Sequence, residues 1–176
     1  MKNALIRATN RLPRVKISSS RPFSSSAAAL AKNRIYPARI RNEDELQTLI
    51  LMSASSRVPL ITFWMTTWSP GCDQVSPIIR ELIERDRVGE DRGGVSFVEV
   101  ESDSPDLGGL SGIAQRYMVN SIPTLLAFDR SEAQVETKVT NLEEMKSRAF
   151  LTKWIENEAA RHGQGGGGTL GGLLGR

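Results

Sequence analysis

Trp68-Ser69-Pro70-Gly71-Cys72 stands directly behind the apolar run Val58-Pro59-Leu60-Ile61-Thr62-Phe63-Trp64-Met65. It stands directly ahead of Val75, Ile78, Ile79, Leu82 and Ile83, spaced i, i+3, i+4, i+7, i+8. The first run is short, rich in apolar and aromatic residues, and reads as a buried strand, whereas the second reads as a helix with one apolar face. The turn between them sets the thiol of Cys72 at the helix N-terminus, where the local positive potential favours a thiolate. Pro77 lies inside that helix, where a proline costs about 3 kcal/mol relative to alanine unless a kink is wanted.

The neighbouring segments alternate in the same way. Upstream, Ile35-Tyr36-Pro37-Ala38-Arg39-Ile40 reads as a short strand whose proline suits a sheet edge. Asn42 with Glu45 forms a capping-box pattern opening a helix over Leu46, Leu49 and Ile50. Downstream, Asp86 to Gly94 is a charged loop, and Val95-Ser96-Phe97-Val98-Glu99-Val100 alternates as a strand. Ser104-Pro105 begins a helix whose buried stripe is Leu110, Ile113, Ala114 and Tyr117. Ser121-Ile122-Pro123-Thr124 leads into the strand Leu125-Leu126-Ala127-Phe128, and Gln134 to Thr140 reads as its partner across the turn Asp129-Arg130-Ser131-Glu132. Phe150, Leu151, Trp154 and Ile155 mark a closing helix. Strands interleaved with helices in this order place the chain in the α/β class, with a mixed central β-sheet flanked by helices on both faces.

Charge divides the chain. The first 42 residues hold ten Lys/Arg and no Asp/Glu, which leaves 13 basic and 20 acidic residues beyond them. The net charge of +3 therefore belongs to the front end. Residues 1–32 are rich in Arg, Ser and Ala, with Arg7, Arg11 and Arg14 on one side of a possible helix beside Leu5, Ala8, Leu12 and Val15. This is the composition of a mitochondrial transit peptide, and it implies the matrix and the import and processing machinery as partners. Arg21-Pro22-Phe23-Ser24-Ser25-Ser26 suggests cleavage after Phe23 or near Leu30. The competing reading is a retained basic arm for RNA or an acidic surface, but an aromatic-poor arm gives bases little to stack on, and no nucleic-acid partner is expected. Residues 163–176 contain eight glycines and read as a flexible tail, whose Leu170, Leu173 and Leu174 offer at most a docking segment.

Several classes are excluded. No apolar run approaches the roughly 18 residues of a membrane span. One cysteine and one histidine cannot form an internal disulfide or an ordinary structural zinc site, so no metal is expected, and no cofactor site is read. The lone His162 sits at the start of the glycine tail, which argues against a serine hydrolase triad for Ser69. The carboxylate pairs Glu99 with Glu101 and Glu143 with Glu144 read as solvated faces.

The turn resembles the active-site segment of the thioredoxin family, Trp-Cys-Gly-Pro-Cys, with Ser69 in place of the first cysteine, the middle pair reversed to Pro70-Gly71, and Cys72 as the second cysteine. Thioredoxins carry a proline five residues after that second cysteine, as Pro77 follows Cys72 here. The resemblance covers about residues 34–161 and divides the chain into 1–32 transit peptide, 33–162 thioredoxin-like domain and 163–176 tail. It implies a cis peptide bond before Pro123 and a surface for an extended protein or peptide client at Trp68, Pro70, Gly71, Ile122 and Pro123. The family also buries an acid in the strand before the active site. Its counterpart here is Thr62 when aligned from the Phe-Trp pair, and Phe63 when aligned from Trp68.

In the family's chemistry an exposed thiolate attacks a target disulfide, and the second cysteine then attacks the mixed disulfide and releases the reduced product. A serine hydroxyl at position 69 cannot make the first attack. Cys72 is thus the candidate single thiol, although Asp73 sets a negative charge beside it. Three functions follow from the resemblance: a redox-related or client-binding thioredoxin-like protein without the dithiol pair, a slow monothiol oxidoreductase assisted by glutathione, or a non-catalytic subunit of a mitochondrial assembly.

Overall fold

A computed structural model describes residues 32–108 and 112–163. Of the expected transit peptide over residues 1–32, all but Lys32 lies outside the described residues, as do Leu110 and the tail beyond Gly163. Among the described residues, ten α-helices and β-strands follow one another, with 3-10 turns between some of them: β1 (Arg34–Ile35), α1 (Glu43–Ser56), β2 (Leu60–Met65), α2 (Pro70–Glu84), β3 (Ser96–Glu101), α3 (Ile113–Arg116), β4 (Thr124–Asp129), β5 (Glu132–Ala133), α4 (Leu142–Lys146) and α5 (Arg148–Ala159). The strands form one sheet in the order β1-β3-β2-β4-β5. β1, β3 and β2 run parallel, while β4 is antiparallel to β2 and β5 to β4.

All six residues of β2 are buried, as expected for a central strand covered on both faces. Successive side chains alternate between two cores. Ile61, Phe63 and Met65 join Phe97, Val75, Ile79, Leu151 and Ile155 in a core that draws on α2 and α5. Leu60 and Trp64 join Val98, Leu46, Ile50, Ile113 and Phe128 in a core that draws on α1 and α3. Helices therefore cover both faces of a mixed sheet.

Four expectations are corrected by the structure. The strand expected over Ile35 to Ile40 is two residues of β1 followed by an isolated bridge, Ile40 to Val100, with Pro37 in the gap between them. The helix after Ser104 is a 3-10 turn, Pro105–Leu107, closed by Gly108 at φ +74°, with the four-residue α3 further on. The strand expected over Gln134 to Thr140 is displaced. β5 ends at Ala133, a 3-10 turn covers Val135–Thr137, and Val139 makes a single bridge to Leu125. At the α1 cap Asn42 accepts from the Glu45 N–H at 2.8 Å as expected, but Glu45 reaches back to the N–H of Arg41 (3.3 Å) rather than to that of Asn42.

Candidate functional site

The turn before α2 is folded by its own backbone. The Ser69 N–H donates to the Thr66 carbonyl at 3.4 Å, and the N–H groups of Cys72 and Asp73 donate to the Ser69 carbonyl at 3.0 and 3.4 Å. Ser69 is the N-cap residue, with extended backbone and no side-chain cap bond. Pro70 occupies the first helical position, where its missing N–H has no intrahelical partner to lose. The two ends of the turn then diverge. Trp68 is 74% exposed, whereas Cys72 is fully buried, within the core that holds Phe63, Val75 and Met145.

Opposite this turn, the Ile122–Pro123 peptide bond is cis. A Cβ on Gly71 would stand 3.8 Å from Pro123 Cδ and 3.2 Å from Leu142 Cδ1, so the glycine lets α2, the Pro123 loop and α4 close on one another. Trp68 and Ile122 line one pocket of about 450 Å³ with Thr66, Ser102, Asp103 and Asn120. The structure thus brings Trp68, Ser69, Pro70, Gly71, Cys72, Ile122 and Pro123 to one end of the sheet.

The sequence matches no family model and no curated relative. Solved structures do match. A thioredoxin from Nicotiana alata superposes with a TM-score of 0.52 at 19% identity, covering 80% of this chain and 97% of that one. A mutant thioredoxin from Halobacterium salinarum gives 0.51 at 17% identity over 73% and 94%. The thioredoxin of Malassezia sympodialis gives 0.51 at 15% over 74% and 93%. The chain has the thioredoxin fold. At these identities the likeness is one of architecture, and it accords with the mixed sheet and its helix-covered faces.

Within this thioredoxin fold neither counterpart of the family's buried acid can exchange a proton. Thr62 is buried, donates its hydroxyl to the Leu126 carbonyl at 2.7 Å and accepts from Trp64 Nε1 at 2.9 Å. Phe63 lies in the core on the α2 side. Among the described residues, no group of three or more His, Cys, Asp or Glu is arranged to hold a metal ion, and no helix is long and apolar enough to cross a membrane.

Glu99 and Glu101 depart from the solvated face expected of them, Glu99 most. Glu99 is 2% exposed, not a solvated face. Its Oε1 accepts from Arg80 Nε at 3.0 Å and from the Ser76 hydroxyl, and its Oε2 accepts from Arg39 Nε at 3.0 Å. Burial alone would push the carboxyl up, but the bonds from Arg80, Ser76 and Arg39 outweigh it and hold the pKa below the ordinary glutamate value of 4.5. Glu101, on the same face, pairs with Arg41 Nε at 3.1 Å. The signal lay in parity, because Glu99 shares its face of β3 with Phe97 rather than with Val98 and Val100. Glu143 and Glu144 are exposed, as read.

Proposed function

We propose that this chain is a mitochondrial thioredoxin-like protein, redox-related through its fold, that holds extended protein or peptide clients and does not reduce them by the dithiol route. The observation that carries this reading is the divergence at one turn. The indole of Trp68 is 74% exposed beside Ile122, while the only thiol, that of Cys72, is fully buried. A surface suited to a client is thereby separated from the chemistry that would act on it.

Support for the mitochondrial part comes from the composition of residues 1–32. The monothiol reading loses support, since attack on a disulfide sulfur requires access to the thiolate, and Cys72 has none in this conformation. The test is a coupled assay with thioredoxin reductase, NADPH and insulin. The full chain is expected to oxidise NADPH no faster than the reductase alone while it binds reduced, unfolded insulin chains in a pull-down. Robust turnover would overturn the reading, as would failure to bind.

A further inference from the structure

Two residues that line the pocket beside Trp68 carry buried hydroxyls left unanswered by the described residues. Thr66 Oγ1 and Ser102 Oγ have no hydrogen-bond partner among the described residues, although Thr66 is only 3% exposed and Ser102 1%. A buried hydroxyl without a partner costs about 1–3 kcal/mol, and native proteins leave few of them. Both residues line the pocket. Both also sit on anchored backbone, since the Ser102 N–H donates to the Met65 carbonyl at 2.8 Å and the Thr66 carbonyl accepts from Ser69. The two residues are therefore fixed by their main chain at the ends of β3 and β2.

The remainder of the wall narrows the choice of ligand. The indole of Trp68 and the side chain of Ile122 supply apolar surface, and Asp103 is the one charged lining residue, with no Lys or Arg among the described lining residues. A carboxylate or phosphate would meet Asp103 with like charge. A purely apolar group would leave both hydroxyls unpaired. A lysine ammonium is a compact, strongly hydrated point charge, whereas a guanidinium is planar, weakly hydrated, stacks on aromatic faces and presents five donors in a fixed fork.

We infer that this pocket receives an arginine side chain of the bound client. Its methylene stem lies along Trp68 and Ile122, its guanidinium pairs with the carboxylate of Asp103, and the hydroxyls of Thr66 and Ser102, closed off from solvent in the free chain, turn to accept from it. The inference rests on the client-binding reading and adds which side chain is selected. Each hydroxyl gains the acceptor role that the free chain denies it, and the one carboxylate gains a counter-charge.

The test uses the full chain and five capped seven-residue peptides of alternating valine and serine, identical except for a central Arg, Lys, Gln, Leu or Glu. Tryptophan fluorescence reads the binding, because Trp64 and Trp154 are 0% and 7% exposed and Trp68 alone faces solvent. The arginine peptide is expected to bind about tenfold more tightly than the glutamine or leucine peptide and more tightly than the lysine peptide, with the glutamate peptide weakest. Asp103→Asn, and separately Thr66→Val with Ser102→Ala, are expected to erase the difference between arginine and leucine. The second variant is further expected to melt no lower than the parent, since it removes unpaired hydroxyls rather than bonds. Equal affinity for all five peptides, or an arginine preference that survives both variants, overturns the pocket assignment and leaves client binding standing. Binding of none of the five peptides overturns the pocket assignment, and client binding then stands or falls on the insulin pull-down.

Discussion

Ser69 and Cys72 are three positions apart, and their environments decide what the chain can do. Ser69 caps α2 and is half-buried, while Cys72 is sealed in the core. Replacing the hydroxyl by sulfur supplies the missing nucleophile at the more accessible position, with Cys72 one helical turn away to resolve the mixed disulfide. Ser69→Cys is expected to raise NADPH-coupled insulin reduction about tenfold or more over the parent chain, and Ser69→Cys with Cys72→Ala should return it to background. A single-substitution variant with no gain would show that the reversed Pro70-Gly71 pair, and not only the lost sulfur, silences the turn. The identity of these residues could be read directly from the sequence, because a short strand, a tight turn and a long amphipathic helix leave little freedom in where Cys72 falls. The fate of Glu99 could not. Alternation with Val98 and Val100 marks it as facing away from those two valines, but whether that face meets water or α2 depends on Ser76 and Arg80, which belong to a different element.

Glu99 joins three pieces of the fold, since it sits on β3 while its partners come from α2 (Ser76, Arg80) and from the segment between β1 and α1 (Arg39). The carboxylate matters most where the sheet edge is thinnest, for that segment contributes only two strand residues and one bridge. Glu99→Ala is expected to cost about 3 kcal/mol at pH 7, because it leaves Arg80 and Arg39 without their shared counter-charge. The pH dependence follows from the lowered pKa. The unfolded chain takes up the proton at about the ordinary value of 4.5, and the folded chain takes it up only at lower pH. The stabilisation is therefore full above about 4.5 and drains away as pH falls through the folded value. Urea titrations of the parent and of Glu99→Gln should show their largest gap near neutral pH and a shrinking one below pH 4; a gap that widens in acid would contradict the assignment. The long, strongly periodic elements were readable for the same reason that they are robust, namely that β2, β3, β4, α2 and α5 bury continuous or regularly spaced apolar residues. The short elements were not. Arg130 and Ser131 both take positive φ (51° and 68°), which makes a two-residue hairpin turn without the usual Asn or Gly signal. The chain leaves the sheet again by Val135, so β strand-forming residues there bend into a 3-10 turn. α4 is five residues long and is marked only by Asn141, which accepts from the Glu143 N–H at 3.0 Å.

The charge asymmetry of the chain belongs to its whole length. Ten basic residues and no acid precede Glu43, while the part that builds both cores carries the acidic excess. A fluorescent protein fused behind residues 1–32 is expected to enter mitochondria, and to remain cytosolic when Arg7, Arg11 and Arg14 are all changed to Gln; import of the triple variant would assign the basic residues another purpose. The core between β2, α2 and α4 closes around the chain's one thiol, and that gives the molecule an internal clock. Cys72 is walled in by β2, α2 and α4 residues, so an alkylating reagent must wait for those elements to part. In native buffer its labelling is expected to lag behind that of the urea-unfolded chain by a hundredfold or more, and the lag should shrink as urea favours breathing of the helix start. Every turn of that clock can be read by mass, one adduct per chain, with no residue changed.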